Sequence, residues 1–269
     1  ILKKATEKVE VSIADSEESN SKSIEDDDGG YCINIPGMGL KKIKINTTQL
    51  EEKANSARAI YEHARSLGKD FGPYVEASAH AFLPLLHNEY AGDVRSTSAQ
   101  ALCQIFKAAC LSASEVAGPQ ALAQNLLPVL AKALAKQLSQ ECDDDDLENR
   151  FAIADALSEV MYDAFKHKDT HGMRVAQISV LDAREIVSRV MILIAGCLTR
   201  RSKLIAEMTT DVVDNDELAR CDEKLHSEQE LLTHLVDSVG YQLKSLGQSF
   251  VPIFSQLIAK PLGKLLTSS

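Results

Sequence analysis

The chain contains two similar stretches, SLGKDFGPY at Ser66–Tyr74 and SLGQSFVPI at Ser245–Ile253. In each, a glycine closes an apolar periodic segment, where it can take the left-handed conformation that ends a helix. A proline follows five residues later, at Pro73 and at Pro252. Proline suits the first turn of a helix because its missing N–H needs no partner there. Both stretches therefore predict the same corner, at which one helix ends and the next begins.

Amphipathic helices fill the chain between these corners. From Asn46 onward, apolar residues recur at the spacing of one helix face, and polar turns or glycines separate the segments. The expected N-terminal caps are Thr48 with Glu51, then Asp93, then Ser179. The expected helices cover residues 48–67, 73–87, 94–111, 118–138, 147–165, 179–208 and 218–246, with an eighth from residue 252.

The prolines repeat with the period of a helix pair. Pro119 lies 46 residues after Pro73, and a second proline follows each helix-opening one at a similar depth, at Pro84, Pro128 and Pro261. A proline inside a helix removes a backbone hydrogen bond and bends the axis. A period of about 40 to 47 residues with two helices per unit is typical of HEAT and armadillo arrays.

The expected fold class is therefore all-α. We predict a HEAT-repeat α-solenoid, a right-handed superhelical array of antiparallel helix pairs in which outer A helices alternate with inner B helices. Asp93-Val94-Arg95 lies at the turn between the A helix 73–87 and the B helix 94–111, as in the HEAT pattern of Asp followed by Val-Arg. The residues that define the repeats are Pro73, Asp93, Arg95, Pro119 and Pro252.

The spacing after Pro119 leaves two repeat counts open. From Pro119 to Pro252 there are 133 residues, which would hold three units of ordinary length. Only two helix pairs can be counted there, so we expect two enlarged repeats with an acidic insertion at residues 211–217. Residues 47–269 would then form about four to five repeats, partial at both ends.

Residues 1–46 break the helical rhythm. Residues 1–13 are expected to end the helix of a preceding repeat, and residues 14–46 to form an acidic linker and a β-hairpin insertion. The hairpin is predicted from two short alternating runs around Pro36-Gly37. Because the chain starts at Ile1 in the middle of a helical pattern, we expect it to be a fragment of a longer protein.

No catalytic, cofactor or metal site is expected. The six cysteines form no C-x-x-C pair, so buried free thiols in a reducing, intracellular compartment are expected. His80 and His87 lack a third ligand, and residues 143–146 lack the alternation and glycine of a calcium loop. The longest apolar run, residues 190–198, is too short to cross a bilayer, and no signal peptide is visible.

The candidate binding surface is acidic. The formal net charge of −10 argues against a nucleic-acid surface and favours a basic protein partner. A face of helix 147–165 would attract a Lys/Arg-rich segment by steering and charge-assisted hydrogen bonds. A solvated helix face whose acidic first turn complements the helix dipole explains the same residues without a ligand. The candidate residues are Asp143, Asp144, Asp145, Asp146, Glu148, Asp155, Glu159 and Asp163.

A series of short motifs runs through the first 110 residues. It consists of Asp26-Asp27-Asp28-Gly29 before a short aromatic strand, Leu50-Glu51-Glu52-Lys53 opening a helix with Tyr61 and Ala64, Val75-Glu76, Leu83-Pro84-Leu85-Leu86, and Asp93-Val94-Arg95. Together these motifs resemble the importin beta-3 (karyopherin beta-3) family of nuclear import receptors. The resemblance is dense from Ser23 to Cys110 and then weakens to helix pattern and insertion placement. Gly30-Tyr31-Cys32 departs from it, because the family has a Trp-Glu-Phe-like start to this strand.

The resemblance implies an internal segment of a karyopherin-beta nuclear transport receptor. In such a receptor the inner helices hold cargo and the GTPase Ran, and the outer helices offer apolar grooves to Phe-Gly nucleoporins. The implied partners are Ran in its GTP form, cargo with a basic nuclear-localisation signal, and nucleoporins, with no direct nucleic-acid or membrane partner. The implied location is cytoplasm and nucleus, between which the receptor shuttles. The alternative is a HEAT-repeat scaffold outside nuclear transport, such as a phosphatase or translation-factor platform.

Overall fold

The computed structural model describes residues 1–9, 11–15, 30–35, 39–115, 120–141, 147–209 and 215–267. These residues form a stack of helices preceded by a small sheet. The elements are α1 Leu2–Thr6, β1 Val11–Asp15, β2 Gly30–Ile35, β3 Gly39–Ile45, α2 Thr47–Leu67, α3 Val75–Phe82, α4 Gly92–Glu115, α5 Gln120–Leu138, α6 Leu147–Lys166, α7 Val180–Met208, α8 Asn215–Leu246, α9 Val251–Ile253 and α10 Ala259–Thr267.

The helices lie in two rows. Helices α2, α4, α6 and α8 pack side by side in chain order, and we call them the B row. The A row contains the α3 segment, α5, α7 and the segment 247–267. Helix α5 packs on α7 of its own row and on α4 and α6 of the B row. This alternation is the antiparallel helix-pair arrangement that the proline period predicts, so the predicted HEAT-type α-solenoid is confirmed.

Small side chains let the B helices approach closely. Helix α4, which packs against α2 on one side and α6 on the other, buries alanines and thiols along its length. Because Ala and Cys project little from the helix surface, neighbouring backbones can pack tightly and exclude water. The buried small residues of α4 are Ala99, Ala101, Cys103, Ala108, Ala109, Cys110 and Ala113.

The two similar corners have the same backbone. Gly68 has φ of 54° and Gly247 has φ of 55°, and each begins a 3-10 turn, Gly68–Tyr74 and Gly247–Phe250. Only glycine takes this left-handed conformation without a steric penalty. The aromatic residue three positions after each glycine, Phe71 or Phe250, is buried in the core. The repeated stretch therefore pairs a left-handed glycine with an aromatic anchor.

The A helix expected over residues 73–87 is interrupted. Its α-helical part is only Val75–Phe82, because Pro73 lies inside the preceding 3-10 turn and Pro84 lies in a second one, Leu83–His87. The last A-row segment is also divided, with a π-helical turn at Phe254–Ile258. Pro128, by contrast, lies inside a continuous α5. Pro119 lies outside the described residues.

Helix caps were predicted with mixed success. The hydroxyl of Ser179 accepts a hydrogen bond from the backbone N–H of Asp182 at 3.1 Å, so this cap is confirmed. The N-terminal cap of α2 is Asn46, whose side chain accepts from the N–H of Gln49 at 3.2 Å, and not Thr48. The cap predicted at Asp93 is wrong, because α4 begins one residue earlier and Asp93 lies in its first turn.

The N-terminal segment differs from the expected helix end. Helix α1 stops at Thr6, and the ammonium group of Lys53 donates to the carbonyl oxygens of Ala5, at 2.7 Å, and Glu7. Residues 11–15 then form β1, whose alternating sequence pairs antiparallel with β3. Strand β2 also pairs antiparallel with β3, in the order β1-β3-β2. The turn predicted at Pro36-Gly37 lies outside the described residues and stays a prediction.

Candidate functional site

The acidic residues predicted on α6 do not share one environment. Glu148 is exposed, the side chain of Asp155 is 40% exposed, and Glu159 is half-buried. Asp163 is fully buried, because the helix turns this position toward its neighbours. The surface therefore contains the first three carboxylates and not Asp163. The acidic turn of residues 143–146 lies outside the described residues.

Asp163 has a structural environment instead. Its carboxylate lies 3.3 Å from Nε2 of His167, one turn later on α6, and both side chains are largely buried. Burial raises the pKa of the Cys103 and Cys110 thiols of α4, and the nearby Asp163 charge raises both further. A ligand at the surface does not reach Asp163, although its charge also acts on Glu159.

The exposed carboxylates of α6 are poorly compensated. Burial raises the pKa of Asp155, and only His234 of α8 opposes that effect. Burial is also the main cause that raises the pKa of Glu159, followed by the negative charges of Asp163 and Asp155; Lys107 and His234 oppose it. Each of these two carboxylates is thus ionised at a free-energy cost that an added positive charge would reduce.

Helix α8 supplies the other wall of this surface. A groove of about 420 Å³ lies between the first turn of α6 and the middle of α8, with Phe151 as its aromatic wall. Two carboxylates that sequence reasoning missed, Glu223 and Glu230, line it from α8 together with Lys224. Next to it, the ring of His234 meets Phe151 edge-on, with centroids 5.0 Å apart. We call Glu148, Phe151, Asp155, Glu159, Glu223, Glu230 and His234 the acidic surface.

Aromatic and basic residues border the acidic surface toward the C-terminal ends of the two helices. The rings of Tyr162 and Tyr241 lie 5.2 Å apart. The ammonium of Lys166 lies 5.1 Å from the Tyr162 centroid, and that of Lys244 lies 5.1 Å from the Tyr241 centroid. Such cation–π contacts hold the lysines in place. The carboxylate-rich part of the α6–α8 junction is therefore limited on one side by fixed positive charge.

The repeat-defining residues Asp93 and Arg95 connect successive repeats. Asp93 pairs with Arg58 of α2 at 2.8 Å. Arg95 reaches forward to Glu141, after α5, with its Nη2 atom 2.7 Å from Oε2. Gln137 donates a hydrogen bond to the same carboxylate at 2.7 Å. The Asp-Val-Arg motif therefore ties one repeat to the unit before it and to the unit after it, a structural role.

A second, apolar groove lies at the far end of the stack. It has a volume of about 650 Å³, and its walls come from α7, α8 and the segment 247–267. Its lining includes Met191, Leu232, Val236 and Phe254. The described residues contain no cluster of three or more His, Cys, Asp or Glu side chains with the geometry of a metal site. No helix among them has both the length and the apolar character to span a bilayer.

Comparison with known proteins gives a fold relationship. No family model matches the chain. The chain is similar to the karyopherin Kap121p bound to the extreme C-terminus of the protein phosphatase Cdc14p, with a TM-score of 0.67 and 16% identity over 99% of this chain and 23% of that one. For Kap121p bound to Nup53p the TM-score is 0.65 and the identity 16%, over 99% of this chain and 22% of that one. For Kap121p bound to Ste12p the TM-score is 0.64 and the identity 15%, over 99% of this chain and 22% of that one.

These similarities are structural. The chain spans 22% of the length of Kap121p in the complex with Nup53p, and sequence identity is low throughout. The likeness therefore establishes that the helix pairs of this chain are arranged as in a segment of a karyopherin. The residues that act on a ligand have to be argued from the chain itself.

Proposed function

We propose that this chain is an internal segment of a karyopherin-beta nuclear transport receptor of the importin beta-3 type, and that its acidic surface binds a Lys/Arg-rich segment of a cargo protein. The fold likeness to Kap121p supports the receptor, and complexes of Kap121p with Nup53p and Ste12p are known. The motifs between Ser23 and Cys110 support the importin beta-3 type. The observation that carries cargo binding is the poorly compensated pair of carboxylates, Asp155 and Glu159.

A basic side chain fits the chemistry of this surface. A lysine can pack its alkyl chain on Phe151 while its ammonium lies near carboxylates of α6 and α8. Its charge would lower the free-energy cost of ionising Asp155 and Glu159, because each is partly desolvated and repelled by its neighbours. Perturbed carboxylates beside a surface groove are typical of functional sites. The same charges would steer a basic segment toward the groove over long distances.

The direct test is charge reversal. The double variant Asp155→Lys/Glu159→Lys should bind a lysine-rich peptide about tenfold more weakly, since each reversal removes roughly 0.5–1 kcal/mol of attraction at a partly exposed site. The matched control is Glu185→Lys, an exposed A-row position on α7 that already pairs with Arg189 at 3.4 Å. Fluorescence anisotropy with a labelled peptide measures both. Equal affinity of the double variant and the wild type refutes the proposal.

The receptor assignment includes further partners. We infer that the parent protein binds Ran in its GTP form, engages nucleoporins through its A row and shuttles between cytoplasm and nucleus. A HEAT scaffold outside nuclear transport would share the fold and the ion pairs between repeats, but not the nucleotide dependence. Retention of the full-length parent on immobilised Ran-GTP, and not on Ran-GDP, is the expected result. Equal retention on both, or on neither, contradicts the receptor assignment.

A further inference from the structure

We propose that His234 competes with a bound basic segment for Asp155, so that the acidic surface binds such a segment more weakly when the imidazole carries a proton. The inference rests on the proposed function and concerns the regulation of the same surface. Its basis is a contact across the α6–α8 junction, in which Nδ1 of His234 lies 3.3 Å from Oδ1 of Asp155.

The contact is placed where a ligand would compete with it. The His234 side chain is 25% exposed and that of Asp155 is 40% exposed, so both can exchange protons and ligands with solvent. The imidazole and the Phe151 ring make an edge-to-face contact. Because Phe151 lines the groove, this contact holds the imidazole beside it. A ligand ammonium that approaches Asp155 along Phe151 therefore meets the imidazole at the same carboxylate.

The charges that face His234 are acidic. From α6, Asp155 pairs with His234. The charge of His234 also opposes the raised pKa of Glu159. On its own helix, Glu230 lies one turn before and Asp237 one turn after. From α4, Lys107 acts on Glu159. When the imidazole of His234 carries a proton, it holds the position beside Asp155 that a ligand cation would take.

The remaining packed element, α7, directs its charges elsewhere on α8. Arg200 pairs with Glu228, with its Nη2 atom 3.0 Å from Oε2, and Arg201 donates to the carbonyl oxygen of Leu225 at 3.2 Å. On the side of α8 that faces α7, Leu231 and Leu235 line a small cavity together with Cys197 of α7. The carboxylate that contacts His234 is therefore supplied by α6.

Binding and protonation are then linked. A ligand cation at Asp155 repels an imidazolium, so binding favours release of the His234 proton, and by reciprocity the proton weakens binding. Imidazoles change charge between about pH 5 and 8. The part of any change in affinity between pH 6 and 8 that a His234 variant loses therefore reports on the contact between His234 and Asp155.

The test measures the dissociation constant of fluorescein-labelled hexalysine for the whole chain at pH 6, 7 and 8, at constant ionic strength. We expect binding at pH 6 to be about 3- to 5-fold weaker than at pH 8, the range of one partly exposed charge pair. In His234→Gln the dependence should fall to the part that His226, which pairs with Glu230 at 3.5 Å, contributes, and His234→Lys should bind weakly at every pH. The control His63→Gln removes an exposed imidazole of α2 and should keep the wild-type dependence.

Each outcome separates the two proposals. If hexalysine binds wild type with the same affinity at all three pH values, or if His234→Gln keeps the wild-type pH dependence, the competition by His234 is overturned while binding at the acidic surface stands. If hexalysine does not bind at pH 8, both proposals are overturned. Circular dichroism of each variant confirms that the helices are intact.

Discussion

Replacing Arg95 by leucine is expected to lower the free energy of unfolding by about 3–5 kcal/mol. The side chains of Arg95 and Glu141 are 12% and 3% exposed, so their ion pair is almost completely removed from water. Arg95 also donates to the carbonyl oxygen of Asn88 at 2.9 Å. Without the guanidinium, the buried Glu141 carboxylate loses its cation and keeps the hydrogen bond from Gln137. The magnitude follows from leaving that charge buried and uncompensated.

The neighbouring motif residue provides the matched comparison. Asp93 pairs with Arg58 at 2.8 Å, but these side chains are 59% and 53% exposed. Water screens such a pair, so Arg58→Leu should lower the free energy of unfolding by less than about 1 kcal/mol. The ion pairs made by the two charged residues of the Asp-Val-Arg motif, Arg95–Glu141 and Arg58–Asp93, should therefore differ several-fold in their effect on stability.

Urea unfolding followed by circular dichroism measures these differences, with the m value compared among variants. The double variant Arg95→Leu/Glu141→Leu should recover most of the loss, because a well-packed apolar pair replaces a buried ion pair at little cost. The reasoning is refuted if Arg95→Leu and Arg58→Leu are equally destabilising. It is also refuted if the double variant is no more stable than Arg95→Leu alone.

Two further predictions concern glycine and Glu159. Gly68→Ala and Gly247→Ala should each lower stability by about 1–2 kcal/mol, because both positions have positive φ. The control Gly240→Ala should be stabilising, because this position is helical and an added Cβ meets no atom within 4 Å. Equal melting temperatures of the three variants would contradict the corner geometry. Glu159→Gln should melt at a higher temperature than wild type at pH 7, since burial raises the pKa of this carboxyl and its ionised form opposes folding. That advantage should shrink as the pH falls through the raised pKa and Glu159 takes up a proton; a wild type that is more stable at pH 7 contradicts the assignment.

The helices and the corners could be predicted because their signals are local. Apolar periodicity, a terminating glycine and a helix-opening proline all lie within a few residues of the structure that they specify. The cap of α2 was wrong because two polar residues near its start, Asn46 and Thr48, can accept from the same backbone N–H groups, and the cap of α4 was wrong because that helix begins one residue before Asp93. The burial of Asp163 could not be seen, because it depends on the helices that cover that side of α6.

Half of the acidic surface was missed because it comes from a distant part of the chain. Glu223, Glu230 and His234 meet α6 only through the packing of α6 on α8. Their spacing on one side of α8 was visible in the sequence, but nothing local connected it with Asp155. The Arg95–Glu141 pair had a better signal, since its separation of 46 residues equals the proline period. Residues that a repeat array joins are best sought one period apart.

The two rows should differ in mechanical stiffness. The B helices are continuous, with α8 running unbroken for 32 residues, whereas the A row contains 3-10 turns around Pro73 and Pro84 and a π-helical turn at Phe254–Ile258. A helical segment deforms most easily where its backbone hydrogen bonds have the poorest geometry, as in 3-10 and π-helical turns. Under load, the array should therefore bend by stretching or compressing its A side, while the α6–α8 junction keeps its shape. Such an array would change its curvature without altering the shape of the proposed binding surface on α6 and α8.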